Sequence, residues 1–164
     1  MLGKTISTKE NVTAISLPVN EVIKVGIKPY PTIPDNSGKL IFPCRGEVTA
    51  TDKEGSHAGF KAIDVANQTG EPIYSPIDGV ITMASVFGGY GNCIQMDDGD
   101  YSFLFGHLSA YNCEAGQNVT KGQIIGYIGN TGDSSGSHLH VEICLEGVKQ
   151  YIPDIFKLEL GDVI

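Results

Sequence analysis

The sequence predicts an all-β protein. Glycine accounts for 21 of the 164 residues, tryptophan is absent, and short apolar segments alternate with groups of turn-forming residues. No stretch of ten residues carries apolar side chains at the three- and four-residue spacing of an amphipathic helix. Together these observations favour short strands joined by turns.

Length and charge narrow the class of protein. A chain of 164 residues, 41% of them hydrophobic, suits one domain with its own core. The net charge of −8 argues against nucleic acid as a partner, because phosphate binding needs a basic surface. No apolar run is long enough to span a bilayer, and residues 1–10 lack the apolar core of a secretory signal. We therefore expect a soluble chain without membrane insertion, which another component would have to carry if it works outside the cytoplasm.

The first part of the chain differs from the rest. Pro29, Pro31 and Pro34 precede the turn-forming run Asp35–Gly38, a composition typical of an extended linker or docking arm. We expect an N-terminal arm over residues 1–38, a folded domain over residues 39–150, and a C-terminal cap or tail over residues 151–164.

The strands of the folded domain are expected where short apolar or β-branched runs are bounded by Gly, Pro, Asn or Asp. Asp97–Asp100 reads as a tight acidic hairpin turn, and residues 88–91 and 129–136 as glycine-rich loops. The expected strands are Leu40–Phe42, Glu47–Ala50, Ala62–Ala66, Pro72–Ser75, Gly79–Val86, Asn92–Met96, Tyr101–Leu108, Gln123–Ile128 and His138–Leu145.

The four cysteines, Cys44, Cys93, Cys113 and Cys144, include no C-x-x-C pair. Two disulfides or four thiols are both compatible with the sequence, and the lack of a recognisable signal favours thiols. The spacing also argues against a cysteine-based zinc site.

The four histidines are the most informative residues. His138 and His140 lie two apart in an apolar run, so both imidazoles face one side of a strand. Burying such a polar pair costs free energy unless that face is exposed to solvent or binds a ligand. An exposed sheet edge with two incidental histidines is the alternative. His107 ends a strand, and a lone histidine there is usually a satisfied surface or core residue.

His57 stands seven residues before Asp64, which interrupts the apolar run 62–66. A carboxylate in such a run needs a cation, a metal or hydrogen-bond donors. A salt bridge to Lys61 or Arg45, or a turn cap, would also satisfy it. Catalytic zinc sites use three nitrogen or carboxylate ligands and leave one position to water, and further histidines can move the proton or stabilise the oxyanion. Four histidines and one aspartate match that set, although composition does not say which histidines bind metal.

Several phrases, in order, resemble the lysostaphin/LytM-like zinc endopeptidases of the bacterial cell wall. The resemblance covers about residues 40–150. The phrases are AIDVA at 62–66, GEPIYSPIDGVI at 70–81, GGYGN at 88–92, FGHLS at 105–109, GQNVTKGQIIG at 116–126, GNTG at 129–132 and SHLHVE at 137–142.

The resemblance implies a small antiparallel β-sheet or sandwich with a substrate groove walled by the two glycine-rich loops. It also implies a Zn²⁺ ion bound by Asp64 and His140, with His107 and His138 as catalytic residues. In the family's common form the first ligand histidine stands four residues before the aspartate, where this chain has Phe60. Some phage members resemble this chain in a longer spacing, which assigns the third ligand to His57.

The expected activity is zinc-dependent hydrolysis of peptide cross-links in peptidoglycan. The expected setting is a phage tail-associated or lysis enzyme, with residues 1–38 as a docking arm for virion tail proteins. The alternative is an inactive domain of the same fold that acts as a structural or regulatory binding module, since metal-free members of the family exist as regulators. A carbohydrate or lipoyl-type carrier domain is a third alternative, which the histidines and the absence of an acceptor lysine in a tight turn disfavour.

Overall fold

The computed structural model describes residues 34–35, 37–51, 54, 57 and 60–164. Most of the predicted N-terminal arm, residues 1–33 and residue 36, therefore lies outside the described residues. Pro34 forms an isolated β-bridge with Ile41, and the backbone N–H of Asp35 donates to the Leu40 carbonyl at 3.1 Å. The segment just before residue 39 thus contacts the folded domain.

The regular structure of the described residues comprises a 3₁₀ helix at Gly88–Tyr90, eleven strands and one short α-helix. The strands and the α-helix are numbered in chain order. They are β1 (Glu47–Ala50), β2 (Ile63–Ala66), β3 (Pro72–Tyr74), β4 (Gly79–Val86), β5 (Asn92–Asp97), β6 (Tyr101–Gly106), β7 (Ala110–Tyr111), β8 (Asn118–Val119), β9 (Ile124–Tyr127), β10 (His138–Leu145), β11 (Val148–Lys149) and α1 (Ile152–Phe156).

All strand pairs are antiparallel, and they form two sheets. The larger has eight strands in the order β1-β2-β10-β6-β5-β4-β8, with β11 paired to the end of β10. The smaller has the order β3-β9-β7. The prediction of an antiparallel all-β fold is confirmed.

The differences from the predicted strands have local causes. Leu40 and Phe42 are fully buried, but only Ile41 pairs, through its single bridge to Pro34. Burial, rather than strand pairing, thus accounts for that apolar run. The strands β7, β8 and β11 have two residues each, too few to show a period in sequence.

The core lies between the layers and contains the alternate residues of the central strands. On β10, Leu139, Val141 and Ile143 are at most 1% exposed, and they pack with Ile63 and Val65 of β2. Because side chains alternate along a strand, the residues between them must face the opposite side of the sheet. That face carries the polar residues discussed below.

The end of the chain packs against the domain. Ile152 and Phe156 of α1 are buried, and the Phe156 ring meets Phe42 edge-on, with centroids 5.2 Å apart. Val163 bridges to Glu47 at the edge strand β1. All four cysteines are free thiols, as expected. Within the described part of the chain, no helix has the length and apolar character needed to cross a membrane.

Candidate metal centre

Three potential ligand atoms converge on one side of the larger sheet. Asp64 Oδ1 lies 2.8 Å from His57 Nε2 and 3.0 Å from His140 Nδ1. The two histidine nitrogens are 3.1 Å apart. Asp64 and His140 are buried, and the side chain of His57 is 19% exposed. The three side chains that the sequence analysis assigned to the metal thus meet at one point.

Strand register explains how Asp64 and His140 meet. In β2 the flanking residues Ile63 and Val65 are fully buried in the core, which turns Asp64 to the other face. In β10 the same alternation turns His140 to that face. The two strands pair antiparallel with His140 directly opposite Asp64, where side chains on one face are in contact.

His57 reaches the centre from the loop before β2. Its carbonyl accepts a 2.7 Å hydrogen bond from the backbone N–H of Phe60, which links the two residues. Phe60, at the usual position of the first ligand, is 67% exposed and offers no ligand atom. Lys61, a suggested partner of Asp64, instead donates to the Lys149 carbonyl at 2.9 Å.

The donor set suits zinc. Tetrahedral zinc with bonds of about 2.0–2.1 Å places its ligand atoms about 3.3 Å apart, close to the 2.8–3.1 Å separations found here. Two imidazole nitrogens and one carboxylate oxygen are also a common ligand set of catalytic zinc sites. His57, Asp64 and His140 could therefore hold the ion.

Two further histidines flank this centre. The rings of His107 and His138 have centroids 4.6 Å apart, and His138 Nε2 lies 3.7 Å from Asp64 Oδ2. His107 Nδ1 lies 2.8 Å from the Thr131 carbonyl, and His138 Nδ1 lies 2.8 Å from the Gly136 carbonyl. A carbonyl can only accept, so both rings carry a proton on Nδ1 and keep Nε2 as a free acceptor when neutral.

Burial and hydrogen bonds shift the pKa values of Asp64, His107 and His140 in different directions. Burial alone would raise the pKa of Asp64, but hydrogen bonds with His140 and His57 outweigh it and lower that pKa well below the usual range. Burial lowers the pKa of His107, which favours its neutral form. For His140, burial acts in the same direction, but its contacts with Asp64 and Glu142 prevail and raise the pKa.

The two glycine-rich loops are joined to each other by hydrogen bonds. The backbone N–H of Asp133 donates to the Gly89 carbonyl at 2.7 Å, and that of Asn92 donates to Thr131 Oγ1 at 3.0 Å. Gly91 has a φ of 63°, and a Cβ there would overlap the Thr131 carbonyl carbon. Close approach of the backbones therefore requires glycine at this position.

The two glycine-rich loops together hold His107 in place. The His107 backbone N–H donates to the Tyr90 carbonyl at 2.7 Å, and its ring donates to the Thr131 carbonyl, so both loops hydrogen-bond to this residue. His107 has a φ of 66°, unusual for a residue other than glycine. Such a strained backbone conformation persists only where the surrounding contacts hold the residue in it, which is often the case at functional sites.

Two residues at the centre were assigned no role from the sequence. Tyr90 donates a 2.8 Å hydrogen bond to Glu142, and Glu142 Oε1 lies 3.4 Å from His140 Nε2. Glu142 is two residues beyond His140 in a strand and so shares its face, a signal that the sequence does carry. Tyr90 lies in a glycine-rich loop, and the sequence around it does not indicate where that loop lies relative to β10.

The sequence profile of peptidase family M23 matches residues 58–152, more than half of the chain. The chain belongs to peptidase family M23. The resemblance to lysostaphin/LytM-like enzymes is thereby confirmed. The match begins one residue after His57, in keeping with the unusual spacing of that histidine.

Curated relatives of this M23 domain include one protein named as a peptidase and one named as an activator of a hydrolase. The DD-carboxypeptidase/endopeptidase Mpg of Neisseria meningitidis serogroup B is 42% identical over 86 residues, which is 52% of this chain and 20% of Mpg. The murein hydrolase activator NlpD of Escherichia coli is 35% identical over 108 residues, which is 65% of this chain and 28% of NlpD. The chain thus matches only 20% to 28% of the length of these relatives.

Solved structures of M23 proteins share the fold. Lysostaphin from Staphylococcus simulans, described as an antimicrobial peptidase, superposes with a TM-score of 0.62 at 26% identity, covering 68% of this chain and 49% of lysostaphin. A zinc-containing peptidase from Vibrio cholerae superposes with a TM-score of 0.61 at 25% identity, covering 73% and 40%.

Proposed function

We propose that this chain is a zinc-dependent endopeptidase that hydrolyses peptide cross-links of bacterial peptidoglycan. The observation that carries the proposal is the convergence of His57, Asp64 and His140 within 3.1 Å of one another, beside a second pair of histidines. Membership of family M23 supports the substrate class, as does a relative from Vibrio cholerae, named peptidoglycan DD-endopeptidase ShyA, that is 39% identical over 85 residues.

The position of each residue in the site indicates its role in metal binding or in proton transfer. His57, Asp64 and His140 would hold the ion, which would polarise a peptide carbonyl and make water a better nucleophile. His107 and His138 each have Nε2 available on the same side of the sheet, where they can accept a proton or, once protonated, donate a hydrogen bond to an oxyanion. The lowered pKa of His107 suits it to the accepting role at neutral pH.

A binding module on the same fold is the second candidate. The similarity to the murein hydrolase activator NlpD favours it, because one M23 relative is named for activating another hydrolase. In that case the chain would bind peptidoglycan or a hydrolase without cutting peptides itself. Action at the cell wall is common to both candidates.

Delivery by a phage tail through residues 1–38 stays a prediction from the sequence. A tail enzyme or a lysis enzyme would both place this domain at the cell wall.

Zinc content and cleavage, measured together, test the proposal. Purified wild type, His57→Ala and Phe60→Ala are analysed for zinc by atomic emission and then incubated with purified peptidoglycan. Released peptides are sequenced by mass spectrometry to locate new amino termini. Both glycine cross-bridges and D-alanine bonds to a diamino acid should be offered, since relatives of the chain are named as a glycyl-glycine endopeptidase and as a peptidoglycan DD-endopeptidase.

We expect about one zinc per chain in the wild type and in Phe60→Ala, and loss of both zinc and cleavage in His57→Ala. Phe60→Ala is the matched control, because it alters the same loop without removing a ligand atom. A wild type that binds peptidoglycan but cuts neither bond, with or without added zinc, would contradict the proposal and favour the binding module.

A further inference from the structure

Glu142 is a buried carboxylate that belongs neither to the proposed ligand set nor to the pair of flanking histidines. It is 8% exposed and lies on β10 two residues after His140, on the same face. Buried acidic residues are rare unless they are paired, so the partners of Glu142 indicate what it does.

Three groups from three parts of the chain surround this carboxylate. The Tyr90 hydroxyl donates to Oε1 at 2.8 Å, and Lys149 Nζ on β11 donates to Oε2 at 2.6 Å. His140 Nε2 lies 3.4 Å from Oε1, a long hydrogen bond. Lys149 compensates the charge and Tyr90 orients one oxygen, which leaves that oxygen placed beside the His140 ring.

The two nitrogens of His140 face different partners. Nδ1 points to Asp64 and His57, where the metal is proposed, and Nε2 points to Glu142. A histidine that offers one nitrogen as a ligand must carry its proton on the other. A carboxylate is a strong acceptor for that proton, and such carboxylate–histidine pairs orient ligand rings in metal sites.

We propose that Glu142 is a positioning residue of the metal centre, accepting the Nε2 proton of His140 so that Nδ1 stays directed at the ion. Tyr90 and Lys149 hold the carboxylate in place for this task. The inference rests on the proposed zinc function, and it adds residues to the site that act through His140 rather than on the substrate.

Room for this arrangement comes from Gly106. It pairs directly opposite His140 on β6, and a Cβ there would lie 3.2 Å from the Tyr90 ring and 3.4 Å from His140 Cβ. The absence of a side chain on β6 lets the Tyr90 ring sit against His140, with centroids 5.3 Å apart. Glycine at this register position thus belongs to the same arrangement.

The test compares zinc affinity and cobalt spectra across matched variants. Glu142→Leu fills much of the space without an acceptor, and Glu142→Ala serves if the leucine variant does not fold. Glu142→Gln keeps an acceptor oxygen. Glu114→Gln makes the same chemical change at an exposed position outside the centre. Zinc affinity is measured by chelator competition, Co²⁺ ligand geometry by visible absorption, and stability by urea unfolding of the metal-free protein.

We expect zinc binding to weaken about ten- to a hundredfold in Glu142→Leu or Glu142→Ala, with an altered cobalt spectrum. Glu142→Gln should fall between these variants and the wild type, with a spectrum close to that of the wild type, and Glu114→Gln should match the wild type. Rescue by the amide separates orientation of His140 from a general loss of packing.

Two outcomes would overturn the inference in distinguishable ways. A folded Glu142→Leu or Glu142→Ala protein with unchanged zinc affinity and cobalt spectrum, whatever its stability, would show that Glu142 is only structural and leave the zinc proposal intact. A wild type that binds neither zinc nor cobalt would overturn both proposals at once.

Discussion

Asp64 and His140 lie directly opposite each other on β2 and β10, with Oδ1 and Nδ1 3.0 Å apart. The pair joins residues 76 positions apart in the chain. Their strands are held by core residues on one face, so the register that packs the core also brings the two proposed ligands together. The site therefore depends on the stability of the central sheet.

Substituting different histidines should separate metal binding from proton transfer. His140→Ala removes a proposed ligand and is expected to lose both zinc and peptide cleavage. His107→Ala leaves the three ligand atoms in place and should keep its zinc while losing about 10²- to 10⁴-fold in cleavage rate, the usual contribution of a general acid or base. Zinc content and cleavage rate are measured on the same preparations. Turnover retained by a metal-free His140→Ala protein would refute the zinc mechanism.

Removing the metal should lower thermal stability. A ligand that binds only the folded state at a hundred times its Kd adds about 2.7 kcal/mol, which for a domain of this size raises Tm by roughly 5–10 °C. Thermal unfolding with chelator, and again after zinc is restored, measures this shift. His140→Ala is the control and should show no zinc-dependent change in Tm. Equal shifts in both proteins would indicate that zinc binds elsewhere.

Removing the Tyr90 hydroxyl should destabilise the metal-free protein. Tyr90→Phe keeps the ring against His140 but takes one donor from the buried Glu142 carboxylate, a loss of about 1–3 kcal/mol in the free energy of unfolding. Urea unfolding measures it. Tyr127→Phe is the control and should show no such loss, since among the described residues no hydrogen bond of the Tyr127 hydroxyl is found. An equal effect in both variants would contradict the assigned contact.

The contact between the two glycine-rich loops should be sensitive to a single methyl group. Gly91→Ala introduces a Cβ at a positive φ and against the Thr131 backbone, whereas Gly147→Ala introduces one at a similar φ of 76° in open space. The control should lose about 1–2 kcal/mol for the left-handed conformation alone. Gly91→Ala should lose more, and its cleavage rate should fall because the same loops hold His107.

Equal stability and activity in the two alanine variants would show that the loops adjust freely. In that case His107 would not depend on their contact for its position.

Much of this arrangement follows from local patterns. Alternation of Leu139, Val141 and Ile143 with His138, His140 and Glu142 predicts both the strand and the side that each residue faces, because the pleat has a period of two. The hairpin at Asp97–Asp100 likewise follows from its turn residues, and Gly99 there has a φ of 101°. Two-residue strands and the five-residue α1 are too short for any periodicity to predict them.

What the sequence by itself determined was the all-β class, the polar face of β10 and the residue types suited to zinc. The tertiary structure alone decided that β2 lies beside β10, that His57 reaches Asp64 across seven positions, and that Tyr90 and Lys149 meet at Glu142. The reason is physical: alternation is a property of neighbouring residues, whereas strand order and loop paths depend on packing between distant segments, which no local pattern encodes.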